Sequence, residues 1–199
     1  MNKNLEILKI AEKQLGVTEW KNGSNPLIEK YHLHASKWDN NIQTDDVPWC
    51  SSAMCYIVEK VGLKSTDSMR ARSWEKWGHP VDSLRSAMPG DTVVFYRVSP
   101  WSGKGHVGIY LRHRGYGKDT KILVMGGNQR DEYRLDWYNT KRLLTIRRHD
   151  NSYIRNRGTI KDYAKKIANE NHWYHMEKKL NFKEKIMDKT YRLFNRGIK

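Results

Sequence analysis

One cysteine and one histidine in this sequence lie in settings that suit a nucleophile and its base. Cys50 falls in Asp46-Val47-Pro48-Trp49-Cys50-Ser51-Ser52-Ala53-Met54-Cys55, and His106 follows in Gly105-His106-Val107-Gly108. Pro48 and Trp49 end an extended stretch. From Ser51 to Lys60 the apolar positions Ala53, Met54, Ile57, Val58 and Val61 recur at three- and four-residue spacing, which predicts a helix with Cys50 on its first turn. Unpaired backbone N–H groups and the positive dipole end at such a position favour a thiolate over a thiol. His106 opens the apolar run His106–Leu111, which reads as a strand. A thiolate attacking a carbonyl, an imidazole carrying the proton to the leaving group, and a backbone N–H at the helix start receiving the oxyanion would together cleave an amide. Cys50 N–H is the natural oxyanion donor. Trp49, Asp45 and Asp46 border the expected cleft, and Trp101 lies in the loop just before His106.

The elements that must hold these groups are legible in outline. Leu5, Leu8, Ile10, Ala11 and Leu15 suit a first helix that Gly16 closes, and Pro26 suits the first turn of a second carrying Leu27, Ile28 and Tyr31. Residues 35–47 read as loop and Arg70–Trp77 as a short helix. The character then changes. Strands are expected at Thr92–Arg97, His106–His113, Lys121–Met125 and Leu143–Arg148, with a hairpin at Gly115–Asp119. Helices followed by an antiparallel meander make an α+β fold, with a catalytic domain over residues 1–150 and a basic, helical extension over 151–199.

Composition sets further bounds. The 199 residues suffice for one domain with a proper core plus an extension. The net charge is +15, and residues 150–199 hold 13 Lys and Arg against 6 Asp and Glu. Such a balance favours polyanionic partners and leaves the fold undecided. Cys50 and Cys55 lie five apart on one helix, roughly 8–9 Å between Cα atoms, beyond disulfide reach, so both are expected free. No apolar run approaches a membrane span, and Met1-Asn2-Lys3-Asn4-Leu5-Glu6 leads into an amphipathic helix without an apolar signal core. Synthesis in the cytoplasm is expected. No metal or other cofactor is expected either, since His32 and His34 alternate on a helix without sharing a face and lack partner spacing.

The motifs Pro48-Trp49-Cys50-Ser51-Ser52-Ala53, Ala71-Arg72-Ser73-Trp74, Trp77-Gly78, Pro89-Gly90-Asp91, Gly105-His106-Val107-Gly108 and Gly126-Gly127-Asn128-Gln129 resemble bacterial and phage cell-wall hydrolases of the NlpC and CHAP types, within the papain-like superfamily. The resemblance covers roughly residues 5–148. It implies a papain-like fold, Cys50 as nucleophile, His106 as base, and a polar residue on the next strand that orients the imidazole. Asn128 occupies the matching position, with Gln129 a second contender. A neutral side chain there would fix the ring tautomer without adding charge. Many CHAP-type enzymes also carry a Glu two residues before that Asn, where this chain has Gly126. The implied substrate is peptidoglycan, cut at an amide in or beside the stem peptide, by an endopeptidase or an N-acetylmuramoyl-L-alanine amidase.

Without a signal peptide, the expected role is a phage-type endolysin, made in the host cytoplasm and released to the wall through membrane holes. A wall hydrolase carried in the virion is a variant of it. The basic extension, with Trp173, Tyr174, Phe182, Tyr191 and Phe194, is expected to meet an anionic envelope or membrane surface. A monomer is expected. The rival is a non-enzymatic basic module for cell wall or nucleic acid, but no motif for specific nucleic-acid recognition is present.

Overall fold

The computed structural model describes residues 2–37, 43–150 and 157–169. Three helices come first: α1 (Lys3–Glu12), α2 (Pro26–Ala35) and α3 (Cys50–Lys60). Asn2 caps α1 by accepting the amides of Asn4 and Leu5, and Asn25 caps α2 by accepting that of Leu27, as short polar side chains do at helix starts. The expected short helix is a 3-10 segment, Ala71–Lys76. The sheet comprises β1 (His79–Pro80), β2 (Thr92–Tyr96), β3 (Gly105–Arg114), β4 (Lys121–Gly126), β5 (Arg134–Asn139) and β6 (Leu143–Arg148). A last described helix, α4, spans Arg157–Ile167.

All pairings are antiparallel, in the order β1-β6-β2-β3-β4-β5. The side-chain period of two sorts the strands into two faces. Val94, Val107, Ile109, Leu123 and Met125 face the helices and join Ile7, Leu8, Ile28, Met54 and Ile57 in the larger core. Val93, Phe95, Tyr110, Ile122, Val124 and Ile146 form a smaller cluster on the opposite face. α4 buries Ile160, Ala164 and Ile167 in the larger core and packs near α1. The aromatic residues of the extension beyond position 169 lie outside the described residues. The mixed fold with a single antiparallel sheet agrees with the α+β expectation.

Two differences stand out. Strand β5 was not expected: Arg134-Leu135-Asp136-Trp137 alternates polar and apolar residues, but the run is short, Tyr138 breaks it, and Asp and Asn disfavour strands. The meander also does not simply continue: β6 returns across the sheet to pair with β2. A buried ion pair ties that return to the N-terminus. Arg148 donates to both carboxylate oxygens of Asp91, at 2.8 and 2.7 Å. Asn4 Nδ2 and the Met88 amide complete the acceptor shell of the same carboxylate.

Candidate active site

Cys50 opens α3, and Trp49 before it makes no side-chain cap. Neither Asp45 nor Asp46 caps this helix. Asp45 is buried and accepts the amides of Trp20 and Asn25, both at 2.8 Å, while exposed Asp46 accepts the Thr44 hydroxyl. The start of α3 sits where β4 has ended. Pairing of β3 with β4 begins at Ile109 opposite Met125, so Val107 lies beyond it. The backbone N–H groups of Val107, Ser51 and Cys50 act on the Cys50 sulfur instead, each favouring its charged form.

Close approach at this corner depends on Gly127. A Cβ there would lie 2.3 Å from the Trp49 ring and 3.1 Å from Ala53 Cβ. Trp49 is fully buried and its indole N–H is anchored on Glu19 Oε1 at 2.8 Å, so the ring has nowhere to go. Gly127→Ala is therefore expected to lower stability by about 1–3 kcal/mol, the usual penalty of overpacking. A denaturant titration of the variant against wild type measures it.

His106, 1% exposed, is on the second residue of β3, opposite Phe95. Its Nε2–H donates to Gln129 Oε1 at 3.1 Å. The direction follows from Gln129, whose amide nitrogen donates to the backbone oxygens of Arg134 and Val124 and so turns its oxygen toward the ring. The neutral imidazole is thereby held as the Nε2–H tautomer, with the Nδ1 lone pair free. Nδ1 is buried and has no hydrogen-bond partner among the described residues. The ring of Tyr138 lies parallel to the imidazole, 5.0 Å between centroids at 8°, and stacks in turn on Phe95.

The hydrogen-bond partner of the imidazole is Gln129 and not Asn128, the residue expected to orient it. Asn128 adopts φ 55° in the tight turn after β4 and donates to Glu19 Oε1 at 3.2 Å. With the chain reversed at that left-handed residue, the next side chain re-enters the interior, and Gln129 is 2% exposed. Trp101 is 92% exposed, its ring in solvent at the tip of the 97–104 connection. Three residues near the site escaped the sequence reading. Glu19, brought in by the pairing of residues 16–19 with 131–133, holds Trp49 and Asn128 together. Its carboxyl titrates above the ordinary range because of burial, reinforced by Asp131, Asp45 and Asp46 and opposed by the Trp49 bond. Tyr138 belongs to the unexpected strand. Arg97 follows Phe95 by two positions, and its charge acts on Cys50, His106 and Tyr138 alike.

The electrostatics differ from the thiolate expected at a helix start. Burial pushes the Cys50 thiol above its ordinary range, outweighing the Val107 amide, Arg97 and the helix-start amides, which all pull it down. Burial, helped by Arg97 and opposed by the Gln129 bond, lowers His106 from 6.5 to about 4. The resting pair at neutral pH is thus thiol and imidazole, both uncharged. Because His106 binds its proton more weakly folded than unfolded, stability is full above about pH 6.5 and declines as pH falls toward 4. The loss from this one group is about 3 kcal/mol. Urea titrations at pH 7 and 4.5 should show it, and His106→Gln should flatten the difference.

No protein-family model matches the chain, and no curated protein is significantly similar to it. Among solved structures, it is similar to NlpC2 from Trichomonas vaginalis, at 17% identity and a TM-score of 0.42. The match covers 74% of this chain and 47% of that protein, so this chain spans about half the length of the neighbour.

Proposed function

We propose that this protein is a peptidoglycan hydrolase that cuts an amide bond in or next to the stem peptide through a cysteine thiol, in the manner of a phage-type endolysin. The observation that carries this reading is the tautomer of His106. Gln129 occupies Nε2–H and leaves Nδ1 as a free base, on the residue preceding the Val107 amide that meets the Cys50 sulfur.

In the proposed reaction the Cys50 sulfur attacks the amide carbonyl carbon as its proton passes to His106 Nδ1. Since neither group is charged at rest, proton transfer accompanies attack rather than preceding it. The backbone N–H groups at the start of α3 stabilise the developing oxyanion. The C–N bond then breaks, the leaving amine takes the proton from His106, and a thioester remains. Water, deprotonated by His106, attacks the thioester carbonyl and releases a carboxylic acid with the thiol restored. Gln129 holds the ring throughout as a positioning residue. Arg97 favours the thiolate as it forms.

Purified sacculi should lose turbidity with the wild-type protein. Gln129→Glu tests the role given to the ring partner. A carboxylate on Nε2 favours the imidazolium, so the acid limb of kcat/KM is expected to move upward from near pH 4 by about one unit or more. An unmoved limb would contradict the assignment of His106 as the titrating base.

A further inference from the structure

Away from Cys50 and His106, α4, β3 and the 84–89 turn enclose a groove of about 290 Å³. Buried Leu111, Tyr110 and Ala164 give it an apolar floor, while Arg85, Arg112, His113, Lys161 and Lys165 line it as exposed groups. No carboxylate is among its lining residues. The fold itself gathers these basic side chains. Pairing of β3 with β2 ends at Thr92 opposite Ile109, so β3 runs on past its neighbour. Between Tyr110 and Arg112 the register on β4 shifts, which sets Arg112 opposite Leu123. Regular alternation would have put Arg112 on the other face. Lys161 and Lys165, four apart, project from the same side of α4.

Asp162 on α4 lies 3.5 Å from Lys165, with both side chains about three-quarters exposed. Such a pair is weak and readily exchanged for an incoming anion. The open groove and its separate exposed cations suit a chain with repeated charges better than a single small anion. Nucleic acid is disfavoured by the aromatic content. Tyr110 is 4% exposed with its hydroxyl engaged by His113, which leaves no ring face for bases to stack on.

We infer that this groove binds a base-free phosphodiester polymer of the cell envelope and keeps the protein on its insoluble substrate layer. The choice of polymer rests on the proposed hydrolase reading. The test uses the full chain carrying Cys50→Ala, so that binding is measured without cleavage. It is titrated at about 0.1 M salt with fluorescent poly(glycerol phosphate) and, separately, with a single-stranded oligodeoxynucleotide of matched charge. Arg112→Gln/Lys161→Gln/Lys165→Gln should weaken polymer binding by about 10-fold or more, whereas Lys21→Gln/Lys30→Gln/Lys118→Gln should change it by less than about 3-fold. Lys161→Gln/Lys165→Gln alters only exposed positions on α4 and should weaken binding by about 3-fold or more even if the Arg112 change disturbs β3. Equal weakening by both triple variants would reduce the effect to net charge and overturn the site. Tighter binding of the oligonucleotide, or no binding of the polymer by the parent chain, would also overturn it. Because no hydrolysis is involved, this result and the sacculus assay fail independently.

Discussion

Replacing Cys50 by alanine is expected to abolish amide hydrolysis, lowering kcat/KM on the order of 10⁴-fold or more, and His106→Ala should do nearly the same. The two groups act as one unit, one supplying the electron pair and the other carrying the proton, so the double variant should be little worse than either single one. Cys55→Ala separates this prediction from a general effect of losing a thiol. Cys55 is also buried and free, but its sulfur makes long contacts with Thr66 Oγ1 and the Ser68 carbonyl, at 3.9 and 3.8 Å. That variant should keep most of its activity. Initial rates of dye release from labelled sacculi, with folding confirmed by thermal melts, measure all four variants against wild type. Equal activity of Cys50→Ala and wild type would remove the thiol mechanism.

The largest stability effect is expected at Asp91. Its carboxylate is fully buried, and it gathers the Arg148 guanidinium, the Asn4 amide and the Met88 backbone N–H. These partners come from α1, the turn before β2, and β6. Asp91→Ala leaves a guanidinium only 13% exposed without its counter-charge. Removal of one partner from a buried pair costs about 3–5 kcal/mol. For a chain of this size that is a fall in Tm of about 10 °C. Asp91→Asn keeps one side-chain acceptor for the neighbouring donors and should lose less. Calorimetry on both variants gives the comparison, and an unchanged Tm for Asp91→Ala would mean that the cluster contributes nothing net.

Local rules made much of this architecture legible. Asn25-Pro26 and Gly62 announce their helix boundaries, and β-branched and aromatic runs announce β2, β3 and β4. The Cys50 helix could be placed from five apolar positions. What escaped was set by pairing between distant segments. Glu19 has no local signal; it reaches the site because residues 16–19 align against 131–133. Tyr138 sits on a strand whose polar/apolar alternation lasts only four residues and breaks at Tyr138 itself. The choice between Asn128 and Gln129 turned on one left-handed residue that reverses the side-chain direction, and a motif match could not express it. The protonation state was missed for a different reason. A helix start predicts a depressed thiol, and only the burial of the assembled core shows that desolvation wins.

The most direct test of the central claim is mass spectrometry of the soluble fragments released from purified sacculi in H₂¹⁸O. The account predicts one new amine and one new carboxyl per cut, with a single ¹⁸O in that carboxyl and no new reducing sugar ends. It also predicts that no fragments appear with Cys50→Ala. Fragments bearing new reducing ends, or the same amide products from Cys50→Ala at the wild-type rate, would contradict it.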